Sequence, residues 1–199
     1  MPASSCTTHL LYLHGFRSSP RSAKAQRMAA WVGEQRPDLV WACPQLPPSP
    51  AAAMREVMAL IQAWPRERMA VMGSSLGGFY ATQVAQASGC RAVLLNPAVD
   101  PARDLARHIG AQRCWQNPDE QFFFRAEYID ELRAQYLGEL AHPERVLAVI
   151  AKGDELLDWR EMQARYAGCR IKLLEGSDHG LSDFDDYLPE LTEFLQLCV

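Results

Sequence analysis

The sequence predicts an α/β fold, with a mostly parallel central sheet of about six strands and helices on both faces. Two observations predict it: short β-rich apolar runs recur along the chain, and longer amphipathic segments of helical periodicity separate them. Right-handed crossovers place such helices against both faces of a parallel sheet. With 199 residues, 48% of them hydrophobic, the chain has the usual size of one domain, which we place over residues 1–199.

The predicted strands are short runs without polar alternation, which is typical of strands buried on both faces of a parallel sheet. They lie at residues 10–13, 39–43, 69–72, 92–95, 146–151 and 171–174. Between them, apolar residues recur at helical spacing, for example Met54, Val57, Met58 and Ile61. Ligands of such folds bind beyond the carboxyl ends of the strands, so we expect the functional residues there.

Two segments interrupt this alternation. Residues 44–50 contain four prolines, which predict either a rigid connection or the wall of a pocket. Residues 97–145 are far longer than an ordinary connection of about 2–6 residues, and we predict a small helical cap insertion there. Its aromatic residues either pack the cap onto the body or line an apolar pocket. Our candidates for substrate binding are Phe16, Trp115 and Phe123.

Charge and hydropathy exclude several classes of partner. The formal charge is −4, and the basic residues are scattered, so nucleic acid is not an expected partner. No apolar run approaches the roughly 18 residues of a membrane-spanning helix, and no cationic segment precedes an apolar run near Met1. We therefore expect a cytoplasmic protein without a membrane partner. The oligomeric state is left open.

The six cysteines lie at least 24 positions apart in a chain without a predicted export signal, so we expect them to be reduced thiols without disulfides. This spacing excludes CxxC motifs, and HExxH is absent as well. We accordingly expect no metal site and no cofactor.

A G-x-S-x-G motif stands between a predicted strand and a predicted helix, centred on Ser75. In this context it predicts a nucleophile elbow, a sharp turn that projects a serine hydroxyl above the sheet. Such a turn brings the backbone close to its neighbours, which explains Gly73 and Gly77 two positions to either side. The following helix directs its positive end at the site, where an oxyanion would form.

A serine nucleophile needs a base, and the base needs an acid that orients it; in this arrangement the chain order is Ser, Asp or Glu, then His. His179 is the only histidine after the last predicted strand, so we predict it as the base. Asp154 follows the penultimate strand and is the predicted acid, although it could instead cap a helix. Glu155 and Asp158 are weaker candidates for the acid.

An oxyanion hole requires two backbone N–H donors, one of them from the residue after the nucleophile, here Leu76. The second comes from the loop after an early strand. His14, Gly15 and Phe16 end the first predicted strand, and we assign the second donor to the Phe16 amide. His14 is expected to brace this loop rather than transfer protons.

Five strings, in this order, resemble the YqiA-like family of small bacterial α/β-hydrolase-fold esterases over nearly the whole chain. They are YLHGFRSSP, GSSLGG, LLNPAVDP, GDELLDW and GSDHGLSDFDDYLP. The resemblance implies a serine esterase of simple carboxylic esters or thioesters. It also implies that Ser75, Asp154 and His179 stand where the family's triad stands.

Two alternatives remain open at this point. An acyl-CoA thioesterase would use the same triad, but the only basic residues near the first loop are Arg17, Arg21 and Lys24. A noncatalytic binding protein that retains the fold belongs to a different class. For the esterase and for the thioesterase, the expected partner is a small-molecule ester or thioester.

Overall fold

The computed structural model describes residues 6–198, and six of its eight strands form one parallel sheet with the order β2-β1-β3-β4-β7-β8. The strands are β1 His9–Leu13, β2 Val40–Ala42, β3 Met69–Ser74, β4 Arg91–Leu95, β5 Gly110–Arg113, β6 Gln121–Phe124, β7 Val146–Ala151 and β8 Arg170–Leu174. The helices are α1 Ala23–Gln35, α2 Pro50–Leu60, α3 Leu76–Ser88, α4 Pro101–Leu105, α5 Glu127–Ala134, α6 Trp159–Arg165 and α7 Leu188–Phe194. All six predicted central strands are confirmed.

The sheet separates two hydrophobic cores. Because side chains alternate along a strand, Leu10 and Tyr12 of β1 face one core, whereas Leu11 and Leu13 face the other. Helices α1 and α7 cover the first core, and α2, α3, α5 and α6 cover the second. The predicted arrangement of helices on both faces is therefore confirmed, and it directs the loops after the parallel strands to one edge.

The insertion differs from the prediction. We predicted a helical cap over residues 97–145, but this segment contains an antiparallel hairpin, β5 with β6, besides the helices α4 and α5. Only Phe124 of β6 is fully covered, while β5 (Gly110–Arg113) alternates between half-buried and exposed residues. Such a strand carries almost no hydrophobic signal, which is why the sequence did not reveal it.

The prediction of six unlinked thiols is wrong for one pair, because Cys6 and Cys198 form a disulfide. They lie 192 positions apart in sequence, but their Cα atoms are 5.7 Å apart. The backbone N–H of Thr7 donates to the Gln196 carbonyl at 3.0 Å, which holds the two ends of the described chain side by side. Separation along the sequence was therefore not a valid reason to exclude a disulfide. Cys43, Cys90, Cys114 and Cys169 are free, as predicted.

No helix within residues 6–198 is long and apolar enough to cross a membrane. Within the same range, no group of three or more His, Cys, Asp or Glu side chains is arranged to hold a metal ion.

Candidate active site

Ser75 lies at the turn between β3 and α3 with φ 56° and ψ −120°, a left-handed conformation that a non-glycine residue adopts only at a cost of about 1–3 kcal/mol. The surrounding backbone holds it there. The Ser75 N–H donates to the Leu95 carbonyl at 3.0 Å, and the Ser75 carbonyl accepts from Gly78 and Ala98 at 2.9 and 3.0 Å. This strained and well-anchored turn has the geometry of a nucleophile elbow.

The two glycines of the motif are required by close approach of the backbone. A Cβ on Gly77 would collide with the Leu13 carbonyl of the neighbouring strand, and a Cβ on Gly73 would collide with the Gly77 carbonyl. A side chain at either position would therefore displace the turn that carries Ser75.

His179 and Asp154 lie on different loops, after β8 and β7, and their side chains meet. The Nδ1–H of His179 donates to Oδ2 of Asp154 at 2.8 Å. The Asp154 side chain is fully buried, and its Oδ1 accepts from the N–H groups of Leu156 and Leu157 at 2.8 and 2.9 Å. Because Nδ1 carries the proton toward the carboxylate, Nε2 is left as the acceptor for a serine hydroxyl.

The other carboxylates near the predicted base have different partners. Glu155 accepts the backbone N–H of His179 at 3.0 Å, so it holds the loop rather than the ring. Asp158 caps α6 by accepting from the Arg160 N–H at 2.9 Å. Asp178 accepts from the Ser182 N–H at 2.9 Å. Among the described hydrogen bonds, the His179 ring is paired with Asp154 alone.

Ser75 and His179 line one cavity of about 240 Å³, together with Gly15 and Phe16 of the β1 loop and with Lys24. The structure thus brings the predicted nucleophile and base to the same opening. Among the described residues, no hydrogen bond joins the Ser75 hydroxyl to the ring. Such contacts often tighten only when substrate binds.

The two predicted oxyanion donors belong to Phe16, in the loop after β1, and to Leu76, the first residue of α3. Both residues line a second cavity, of about 300 Å³. The neutral His14 ring stabilises the loop after β1. Its Nδ1–H donates to the Gly15 carbonyl and its Nε2 accepts from the Leu46 N–H, both at 3.0 Å. Burial lowers the pKa of His14, which agrees with the neutral form.

The proline-rich loop forms a wall of this second cavity through residues 45–48. Of the two alternatives for that segment, a rigid connection and a pocket wall, the structure provides the second. The lining also includes Phe122 of the hairpin and Tyr80 of α3.

The aromatic candidates separate into two groups. The Phe16 ring packs against Phe122 and Phe124, with ring centroids 5.9 and 5.1 Å apart. Trp115 lines the cavity of Ser75, although the residue is largely exposed. Phe123 does not reach either cavity: it is 60% exposed, because neighbouring residues of β6 point to opposite faces. Phe122 takes the position that we had expected for Phe123.

Two residues of the site were not recognised from the sequence. Asn96, completely buried, donates to the carbonyls of Asp178 and His179 and accepts from the Ala151 N–H. Its only sequence signal was its position after β4, at the carboxyl edge. Lys24, which we had considered only as part of a basic group, donates to the Gly180 carbonyl beside the predicted base.

The fold and the elbow define the class: the protein has the α/β-hydrolase fold. A solved structure from Agrobacterium vitis S4 superposes with a TM-score of 0.76 at 16% identity, over 96% of this chain and 91% of that one. Est1E from Butyrivibrio proteoclasticus, solved with ferulic acid, gives 0.68 at 14% identity over 98% and 88%. An esterase domain from Rhodothermus marinus gives 0.67 at 17% identity over 98% and 88%. Likeness at this level of identity shows the fold.

Within that class, the chain belongs to the uncharacterised protein family UPF0227, whose model matches residues 9–196. This confirms the resemblance to the YqiA-like family. A UPF0227 protein of Shewanella sediminis (strain HAW-EB3) is 21% identical over 189 residues, 94% of this chain and 99% of the relative. One of Yersinia pseudotuberculosis serotype O:1b (strain IP 31758) is 25% identical over 150 residues, 75% and 77% of the two chains.

Proposed function

We propose that this protein is a serine esterase that hydrolyses small carboxylic esters through an acyl-enzyme. One observation carries the proposal: the His179 ring donates to the buried Asp154 carboxylate at 2.8 Å and shares a cavity with Ser75 on its strained turn. Ser75, Asp154 and His179 come from three separate loops in the chain order of a catalytic triad, which supports these roles.

In the first step the Ser75 oxygen attacks the ester carbonyl carbon while His179 Nε2 takes the hydroxyl proton. Asp154 holds the ring in the tautomer with Nδ1 protonated and stabilises the imidazolium. The oxyanion accepts hydrogen bonds from the Phe16 and Leu76 amides. The C–O bond to the alcohol then breaks, and His179 returns the proton to the leaving oxygen.

In the second step a water molecule attacks the acyl-enzyme and gives its proton to His179. The bond between Ser75 and the acyl carbon breaks, the proton returns to the serine oxygen, and the carboxylic acid leaves. No cofactor is needed, because proton transfer and oxyanion stabilisation supply the chemistry.

The dimensions of the site support small substrates. The two cavities that the loop after β1 lines have volumes of about 240 and 300 Å³, at or below the lower end of ordinary ligand pockets, about 300–1,000 Å³. The second cavity is lined by Leu46, Tyr80 and Phe122, so we assign the acyl group to it.

Hydrolysis of acyl-CoA would use the same triad, but no contact favours it over ester hydrolysis. Arg17, one of the basic residues that could bind phosphates, stacks on Trp115 with its guanidinium carbon 4.0 Å from the ring centroid. Comparing kcat/KM for an acyl-CoA and an oxygen ester of the same acyl group distinguishes the two activities.

The decisive experiment is labelling with a fluorophosphonate probe, which reacts with activated serines. We expect the wild-type protein to be labelled and Ser75→Ala to be unlabelled, whereas Ser74→Ala, the matched control in the adjacent position, retains labelling. Hydrolysis of a series of p-nitrophenyl esters then defines the acyl preference. If folded wild-type protein is neither labelled nor active on any ester, a noncatalytic binding protein is the correct interpretation.

A further inference from the structure

The cavity that contains Ser75 differs from the neighbouring cavity in the charge of its lining. Among the described residues, its lining includes the ammonium of Lys24 but no Asp or Glu side chain. The lining of the neighbouring cavity, in contrast, includes Glu56 and Glu120. A small neutral ester would bring no group of opposite charge to the lysine in the first cavity.

The Lys24 ammonium has donors that the described residues do not use. It donates to the Gly180 carbonyl, its one acceptor among those residues, although an ammonium carries three N–H groups. Burial lowers its pKa to about 8, and the charges of Asp178 and Asp154 partly oppose this effect. Both carboxylates accept backbone N–H groups of their own loops. The ammonium is thus partly dehydrated, with no direct ion pair to any carboxylate in residues 6–198.

Two further donors line the same cavity. The buried Tyr12 hydroxyl lies near the Ser74 side chain, without a hydrogen bond of full geometry among the described residues. Burial raises the pKa of Tyr12, so the hydroxyl keeps its proton. Helix α1 begins at Ala23 in the cavity wall, and the Ser22 side chain before it makes no capping hydrogen bond. An ammonium, a hydroxyl and this helix start therefore favour a group that carries negative charge.

We propose that the substrate of Ser75 carries an anionic oxygen group, a carboxylate or a phosphate, that binds Lys24 while the ester carbonyl lies at Ser75. The inference rests on the proposed esterase function and narrows its substrate class. Because one cavity of about 240 Å³ holds both residues, the anionic group and the ester belong to one small molecule. Lys24 is then a specificity-determining residue in that molecule's binding site.

The test compares substrates that differ in charge but share their chemistry. The probes are para-acetoxybenzoate, its neutral isostere para-acetoxybenzamide, and para-acetoxyphenyl phosphate; monophenyl succinate and its amide place the charge on the acyl side instead. For each pair, kcat/KM of the anionic substrate is divided by that of the neutral one. Any effect of a variant on the position of His179 alters both substrates and cancels in this ratio.

We expect the wild-type protein to prefer an anionic probe by about tenfold or more, the size of a charge-assisted hydrogen bond. Lys24→Met and Lys24→Gln should abolish this preference, and Lys24→Arg should keep most of it. Arg27→Met, which removes a charge from the same helix outside the cavity, should leave the ratio unchanged. The response to carboxylate and phosphate probes identifies which group is bound.

A wild-type protein that hydrolyses the neutral esters but prefers none of the anionic probes would overturn the inference without any variant. An anionic preference that persists in Lys24→Met and Lys24→Gln would overturn it as well. Failure of the esterase function itself gives a different result, because neither member of any pair is then hydrolysed and Ser75 is not labelled.

Discussion

The side-chain amide of Asn96 donates a hydrogen bond to the backbone carbonyl of His179 at 3.2 Å. It also donates to the Asp178 carbonyl at 3.0 Å, and its own oxygen accepts from the Ala151 N–H at 2.8 Å. Asn96 is completely buried. One side chain therefore connects the end of β4 with the end of β7 and with the loop that carries the proposed base.

The first prediction concerns this connection. Asn96→Asp replaces the donor by an acceptor that faces two carbonyl oxygens, and we expect the free energy of unfolding to fall by about 2–4 kcal/mol. The value of kcat should fall too, because the loop of His179 loses its anchor. Urea denaturation and ester hydrolysis measure both. Asn117→Asp, in a turn of the cap, is the control, and equal losses in the two variants would contradict the prediction.

The central sheet and the proposed triad could be predicted because their signals are local. Each buried strand is a continuous apolar run, and Ser75 is marked by glycines that the elbow requires for close approach. The order of strands and loops then suggested Asp154 and His179, which the structure joins at 2.8 Å. Such inferences require the order of the strands and loops along the chain but not the distances between residues in the fold.

What could not be predicted depends on residues distant in sequence. Lys24 reaches Gly180 across 156 positions, and Cys6 meets Cys198 across 192. Asn96 donates to backbone carbonyls, which every residue has, so no pattern of residue types indicates its partners. The hairpin was missed because β5, with the sequence GAQR, has neither β-branched residues nor an apolar face.

The second prediction tests the acid. Asp154→Asn keeps the shape of the side chain but removes the charge that orients the His179 ring, and by analogy with other triads kcat should fall by about 10⁴-fold with the fold intact. Asp158→Asn is the matched control, since asparagine caps a helix as well as aspartate does. A folded Asp154→Asn protein with a nearly normal kcat would show that the acid is wrongly assigned.

The third prediction concerns the attachment of the β5–β6 hairpin to the loop after β1. Arg17 follows Phe16, adopts φ 60°, donates from Nε to the Arg113 carbonyl at 2.8 Å and stacks on Trp115. Glycine adopts this φ without strain. We expect Arg17→Gly to lower kcat/KM for esters by about tenfold, because the hairpin and the loop that carries the Phe16 amide lose the contacts of the Arg17 side chain.

Hydrogen exchange separates this role from a general loss of stability. The amides of β5 and β6 should exchange faster in Arg17→Gly, while those of β3 and β7 keep their protection. Arg125→Gly, a change at an exposed arginine elsewhere in the cap, should leave kcat/KM unchanged. If β5 and β6 exchange at the wild-type rate, Arg17 does not anchor the hairpin.

The fourth prediction follows from the lowered pKa of His14, which burial causes and the hydrogen bond to the Gly15 carbonyl partly opposes. The folded protein holds His14 neutral, so the unfolded chain binds more protons below pH 6.5, the ordinary histidine value. The contribution to stability is therefore present above that pH and is lost as pH falls, by at most about 1.4 kcal/mol per pH unit.

We expect His14→Asn to be less stable than the wild type at pH 8 but to lose less stability on acidification. Urea denaturation at several pH values measures the slope. His142→Asn, at an exposed histidine, should keep the wild-type slope, which also contains contributions from other histidines. A slope in His14→Asn as steep as that of the wild type would exclude His14 as a source of the pH dependence.

The fifth prediction concerns the disulfide between Cys6 and Cys198, which closes almost the whole chain into a loop. Under oxidising conditions, Cys6→Ser should be less stable by about 2–4 kcal/mol, a fall in Tm of about 4–16 °C. Because Cys6 precedes β1 at the amino ends of the strands, opposite the proposed site, kcat should not change.

Cys169→Ser, at a free cysteine, controls for the loss of a thiol. Reduction with dithiothreitol should lower the Tm of the wild type to that of Cys6→Ser and leave the variant unaffected, and a wild-type Tm insensitive to reduction would contradict the prediction.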